Sequence, residues 1–247
     1  MTDEETGRTF RLAYVPGVTP AKWVGVWTER MPDVPVTLIA VPAAEAVELL
    51  RNGGADAGFV RPPADRDGLS VIPLYEETTV VMVPKDHAVT AADEVLVADL
   101  VDDEVFHPLD DVIEWAVRPG LPAFTRPDTT AEAVELVATG TGLLLVPLSL
   151  ARLHHRRDLT YRPVPDAPQS RVALAWPTDA TTDLVEDFIG IVRGRTVNSS
   201  RGRGTPAAPA PAAVKKPAQR QAQKPAQKGS ARRTVPTDRK KKGNRPR

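Results

Sequence analysis

FRLAYVPGVTPAKWVGVWTERMPDVPVTLIAV, running from Phe10 to Val41, is the stretch that decides the fold. Phe10, Leu12, Tyr14 and Val15 make a short strand-like run. Pro16-Gly17 stops it, because Pro fixes φ and Gly permits backbone that other residues avoid. Thr19 sits where a helix N-cap belongs, with Pro20 at the first helical position. Trp23, Val26, Trp27, Arg30 and Met31 follow at helical spacing, so an apolar stripe can pack on a sheet. Pro32 and Pro35 end the helix, and Val36 to Val41 reads as a second, buried strand. The stretch is a β-α-β unit. Its first loop presents free backbone N–H groups at a helix N-terminus, a natural holder for an anion or a polar ligand.

Composition bounds the rest. A chain of 247 residues with 41% apolar content holds one large or two small domains and has enough apolar side chains for a core. It contains no Cys, which excludes disulfides, a thiolate nucleophile and Cys-ligated metal. The start, Met1-Thr2-Asp3-Glu4-Glu5, is acidic where a signal peptide is basic and then apolar. No apolar run approaches the roughly 20 residues of a membrane helix. These features predict a soluble cytoplasmic protein without a membrane partner. The formal net charge of zero hides an asymmetry. Residues 201–247 carry 15 Lys and Arg against one acid, Asp238, which leaves 17 basic and 31 acidic residues in the first 200. An acidic body therefore carries a basic tail, and the two suit different partners.

Strand and helix signals continue to alternate. Ala43–Gly53 reads as a helix stopped by Asn52-Gly53-Gly54, and Asp56–Val60 as a third strand ending at Arg61-Pro62-Pro63. Leu69–Leu74 and Thr78–Val83 read as strands joined at Tyr75-Glu76-Glu77, with a break at Pro84–His87. A second pattern follows. It comprises an apolar stretch at Val95–Val101, a strand over 104–108, a short helix over Asp111–Val117 and a weak strand over Leu121–Thr125. A helix over Thr130–Thr139 is capped by Asp128 or Thr129 and ended by Gly140. Then come a buried strand at Gly142–Val146, a helix at Leu148–His155, a strand at Arg171–Trp176 and an amphipathic helix at Asp183–Arg193. From Thr196 on, Ala, Pro, Lys, Arg, Gln and Gly dominate and predict disorder. The fold class is α/β, with two Rossmann-like lobes and a cleft between them. The expected organisation is a disordered start over 1–7, a first lobe from 8–84 plus 165–195, a second lobe from 85–164, and the tail over 196–247.

By this point the segments RLAYVPG, MPDVPVTLIAV, AVELLRNGGADAGFV, LYEETTVVMVPKDHAV, VADLVDDEVF, AVELVATGTGLLLVPLSLAR and YRPVPD stand in an order that resembles a known family. It is the effector-binding (substrate-binding) domain of LysR-type transcriptional regulators, which is similar to type II periplasmic binding proteins. The resemblance covers about residues 8–194. It implies two subdomains joined by crossover strands near Val83–Pro84 and Arg162–Val164, a small metabolite effector, polar or anionic, between them, and a homodimer. Carried over position by position, it implies ligand contacts from Val18 and Thr19, Pro42 and Ala43, and Val60 and Arg61 in the first lobe. From the second lobe it implies His107, Thr129, Pro147, Leu148 and Ser149. A regulator of this family also has an N-terminal winged helix-turn-helix, for which a first strand at Phe10 leaves no room. The expected function is effector binding in transcription regulation without a DNA-reading head of its own.

Other chemistries are weighed on the residues. Thr19 is either a ligand donor or a plain N-cap, and Arg61 either clamps an anion bidentately or is a solvated cation beside Pro62-Pro63. His107 is a candidate ligand contact, whereas His87 falls at a family hinge position and reads as structural. His154 and His155, adjacent on a helix, point to different faces and share no metal. The acid pairs Glu76-Glu77, Asp102-Asp103 and Asp110-Asp111 read as solvated loops rather than acid–base dyads. Trp23 and Trp27 share a helical face and predict core or dimer interface. GxSxG, P-loop, HExxH and EF-hand spacings are absent, so the expectation is no enzyme, no cofactor and no metal. The tail's Lys215, Lys216, Arg232, Arg233, Arg239, Lys240, Lys241 and Lys242 suit sequence-independent phosphate contact without base stacking. That supplies the alternative function, a structural dimer associated nonspecifically with DNA or RNA.

Overall fold

The computed structural model describes residues 8–62 and 66–195. The acidic start and the basic tail, with all eight of its named Lys and Arg, lie outside the described residues.

The elements run β1 (Phe10–Tyr14), α1 (Ala21–Arg30), β2 (Val36–Ala40), α2 (Ala46–Arg51), β3 (Ala57–Val60), β4 (Leu69–Glu77) and β5 (Thr79–Pro84). Then come β6 (Glu104–Phe106), β7 (Leu121–Pro122), α3 (Thr130–Ala138), β8 (Leu143–Pro147), α4 (Leu148–Leu153), β9 (Leu159–Pro163), β10 (Ser170–Pro177) and α5 (Asp183–Val192). Short 3₁₀ turns occupy Ala88–Ala91, Val97–Leu100 and Thr178–Ala180. Two five-stranded mixed sheets result, in the orders β2-β1-β3-β10-β4 and β7-β6-β8-β5-β9. Each sheet with its helices makes one lobe.

In the first sheet β1 pairs in parallel with β2 and β3, as the opening β-α-β unit requires, with Phe10 opposite Val36 and Leu12 opposite Ala57. β10 returns from the far end of the chain to run antiparallel between β3 and β4. The core beneath it is aromatic. Phe10 stacks on Trp27 at 4.6 Å, Trp23 on Phe59 at 4.6 Å, and Phe188 of α5 lies 5.0 Å from Phe10. Trp27 is fully buried and donates its indole N–H to the Val34 carbonyl at 2.8 Å, while Trp23 is half-buried against the same core.

The second sheet is buried on both faces. Along β5, Val80 and Met82 join the cluster under α3 and α4, while Val81 and Val83 join a second cluster with Leu100 and Val105. This is the period of two that a strand imposes.

Several local expectations change. The sheets are joined at Thr78, not at Val83–Pro84. Tyr75, Glu76 and Glu77 belong to β4, and β5 pairs wholly within the second sheet. The return link, between β9 and β10, is stitched to the outgoing one. Thr79 Oγ1 donates to the Pro168 carbonyl at 2.5 Å, and Val164 N–H to the Thr79 carbonyl at 2.9 Å. Residues 111–117 form no helix, because the Asp111 carboxylate takes the Ile113 N–H at 2.9 Å and holds a local turn instead. The strand expected at Leu121–Thr125 is reduced to Leu121–Pro122. Of the two candidate caps of α3, Thr129 is the one used: its hydroxyl accepts from Glu132 N–H at 3.2 Å. Thr19 caps nothing. The N-cap position of α1 is Pro20, and no side chain caps that helix.

Candidate functional site

A cleft of about 1850 Å³ opens between the two lobes. Its first-lobe wall consists of the loops that follow the parallel strands: Pro16 to Thr19 after β1, Pro42 to Ala44 after β2, and Arg61 after β3. Its second-lobe wall consists of residues 109–114, the start of α3 at Thr129–Ala131, and α4. Loops at the carboxyl ends of parallel strands converge on one edge by topology, which is why open α/β sheets bind ligands there.

Seven of the eleven residues carried over from the family fall on this wall: Val18, Thr19, Pro42, Ala43, Arg61, Thr129 and Ser149. The other four lie outside it. Val60 is fully buried in the core of the first lobe, and Pro147 pairs with Thr79 in the second sheet. Leu148 gives its backbone N–H to the Thr78 carbonyl at 3.0 Å. His107 faces a separate hollow of about 220 Å³ beside Arg118 and Gly120, with Nε2 3.3 Å from the Pro119 carbonyl and Nδ1 3.9 Å from Asp111. His87 caps the 3₁₀ turn at Ala88, its Nδ1 accepting from Val89 N–H at 3.3 Å.

At the cleft floor the second-lobe helix α4 touches the first-lobe loop. Gly17 has φ +86°, and a Cβ there would collide with Ser149 Oγ. Glycine thus serves both the turn and the close approach of the lobes. Ser149 Oγ donates to Glu77 Oε2 at 3.0 Å. Arg61 Nη1 donates to the same Glu77 oxygen at 2.8 Å and to Ser170 Oγ at 2.7 Å. Its Nη2 reaches Ser149 Oγ and the Pro16 carbonyl only at 3.4 and 3.5 Å. The side chains of Arg61 and Glu77 are 8% and 9% exposed, so this ion pair is nearly buried. Neither sequence reading of Arg61 describes it: the guanidinium is not solvated, and one of its two forks is already filled. The nearby Tyr75 phenol is pushed above its ordinary pKa, first by burial and then by the Glu77 charge, with Arg61 pulling it back.

Two acid pairs likewise depart from solvated loops. Asp110 accepts from both the backbone N–H and the hydroxyl of Thr130, at 2.7 and 2.8 Å, and so fixes the second-lobe wall. At the rim, Arg171 pairs with Glu76 at 2.9 Å and Arg51 with Glu48 at 3.2 Å. Thr19 is exposed on the opposite wall, and its hydroxyl has no hydrogen-bond partner among the described residues. Glu77, Ser170 and Gly17 are the site residues that sequence reading missed. Alternation along a strand after Tyr75 would have separated inward Glu77 from outward Glu76, had the strand been extended through them. Among the described residues no group of three or more His, Cys, Asp or Glu is placed to hold a metal, and no helix is long and apolar enough to cross a membrane.

A two-lobed α/β body with an interlobe cleft at the strand ends is the architecture of periplasmic-binding-like ligand domains. The chain belongs to the LysR substrate binding domain family, whose model matches residues 3–196. Its relatives include the Hca operon transcriptional activator HcaR of Escherichia coli, 25% identical over 67% of this chain and 60% of that one. Another is the HTH-type transcriptional regulator AlsR of Bacillus subtilis, 25% identical over 67% of this chain and 58% of that one. The chain thus spans about three-fifths of the length of these curated relatives. In fold it is similar to the BenM effector binding domain with its effector benzoate, with a TM-score of 0.62, 21% identity, and coverage of 76% of this chain and 91% of that one.

Proposed function

We propose that this protein binds a small metabolite effector in the interlobe cleft and acts in transcription regulation in the cytoplasm. One observation carries the reading: the strand-end loops of one lobe and the helix starts of the other face each other across an open gap, mostly apolar in lining, with Thr19, Arg61, Thr129 and Ser149 among its polar groups. At about 1850 Å³ that gap exceeds the roughly 300–1,000 Å³ of a formed ligand pocket. Ligand binding therefore goes with approach of the lobes about the two stitched links at Thr78 and Val164. Val18, Thr19, Pro42 and Ala43 form one jaw, Thr129 and Ser149 the other, and Arg61 the floor. The unused Thr19 hydroxyl is the donor we assign to the effector. A homodimer and phosphate contact through the basic residues of 201–247 belong to the same proposal, the first from family membership and the second from charge.

The test is a metabolite panel read by thermal shift on the full chain. A true effector raises Tm in a concentration-dependent way, because it binds only the folded state. Thr19→Ala leaves the unliganded melting temperature in place and weakens the effector by about 2- to 10-fold, the loss of one hydrogen bond. A broad panel without a single stabilising compound removes the reading.

A further inference from the structure

The floor of the cleft holds a charge pair that a simple anion site would not contain. Arg61 Nη1 has two hydrogens, and both are spent, on Glu77 and Ser170. What remains is the other edge of the guanidinium, on a residue that lines the cleft. Nη2 makes only long contacts of 3.4 and 3.5 Å, and Nε has no partner among the described residues. Glu77 does not line the cleft itself; it stands behind Arg61 and Ser149 and binds both through one oxygen, Oε2. With Arg61 8% and Glu77 9% exposed, little water screens the pair.

We infer that Glu77 sets the charge of the ligand: the part of the effector that reaches the floor is a neutral hydrogen-bond acceptor, of the amide, ketone or hydroxyl class, not a carboxylate. This rests on the effector-site reading above and refines it. A buried guanidinium with its own carboxylate is already neutral. A ligand carboxylate that displaces the long Nη2 contacts and docks on the Nη2–Nε edge places a second negative charge across one guanidinium from Glu77, in a place where like charges are poorly screened. A neutral acceptor on the same edge gains the Arg61 donors without that repulsion, while the single Ser149 O–H stays on Glu77. Glu77 is thus a positioning residue. It orients the Arg61 fork and the Ser149 hydroxyl, and it discriminates through them.

The probes are acetate and its neutral isostere acetamide, small enough to reach the floor whatever the natural effector is. The readout is the side-chain Nε–H resonance of Arg61 in the ¹⁵N-labelled full chain, assigned by its loss in Arg61→Lys. In the wild type, acetamide shifts this resonance saturably and acetate does not at constant ionic strength. In Glu77→Gln, which keeps the shape and one acceptor but loses the charge, acetate shifts it at concentrations roughly tenfold below any wild-type response. A role confined to folding moves both probes together and does not invert their order. Equal acetate responses in wild type and Glu77→Gln overturn the inference. So does an Arg61 resonance that responds to neither probe in either protein. Should Glu77→Gln not fold, the wild type alone decides. Acetamide ahead of acetate supports the assignment, and acetate level with or ahead of acetamide defeats it. A panel effector that seats its carboxylate on Arg61 refutes the charge assignment yet leaves the effector site standing. A panel with no effector removes the site, and the acetate and acetamide responses are still read.

Discussion

The two lobes solve the same packing problem with different side chains and different reach along the sequence. The first lobe gathers Phe10, Trp27, Phe59 and Phe188 into one aromatic cluster, contributed by β1, α1, β3 and α5. The second lobe is almost wholly aliphatic, and its sheet separates two smaller clusters. The second lobe's sheet is also one unbroken span of chain, Thr79 to Pro163, whereas the first cannot close until β10 and α5 return from the far side of it. Exposed apolar side chains fall mainly on the second lobe: Val117 at 82% and Phe124 fully exposed, against Leu38 at 44% in the first. The lesson is that stability concentrates in long-range aromatic contacts of the first lobe, while the second carries an under-buried rim around residues 101–124.

The largest effect that tests this contrast is at Phe188. Phe188→Ala removes a ring that meets Phe10, Trp27 and Phe59, and should cost about 3–5 kcal/mol in denaturant unfolding. A loss under about 1 kcal/mol would break the contrast, because the first lobe would then be no better knit than the second. Next comes the contact between the lobes. Gly17→Ala forces a left-handed φ of +86° on a residue with a Cβ and drives that Cβ into Ser149. We expect a loss of roughly 1–3 kcal/mol, together with weaker effector binding, since α4 must withdraw from the cleft floor. A Gly17→Ala protein as stable as the wild type would show that the lobes do not touch there in solution. The smallest effect is at Phe124. With its ring fully in solvent, Phe124→Ser should leave unfolding within about 0.5 kcal/mol of wild type. A large loss in dilute protein would show that the second-lobe rim is covered after all, and sedimentation would reveal whether a second copy covers it.

Much of this architecture was legible early, and the reasons are local. The run from Phe10 to Val41 alternates and then turns helical within a few residues, so strand, helix and strand could be assigned from spacing alone. The misreadings share a cause. Residues 111–117 have helical composition, but one Asp111 side chain captures a backbone N–H and a turn wins. Thr19 before Pro20 matches a cap, yet the chain enters α1 with Pro20 itself at the cap position and leaves the hydroxyl to the cleft. Tyr75-Glu76-Glu77 looks like a polar joint, but pairing with β10 continues the strand through it, with Glu77 opposite Ser170.

What the amino-acid order determined by itself was the succession of strands and helices, the family, the crossing of the chain between two lobes, and the opposed charges of body and tail. The elements and the charges depend on periodicity or composition within short windows, and the family on the order in which matching segments stand along the chain. What only the tertiary structure decided was which polar groups are spent and which are left for a ligand. Arg61 meets Glu77 across 16 residues, Ser149 across 88 and Ser170 across 109. A charge is neutralised by whatever lies within a few ångströms, and distance through space is what the linear order does not contain.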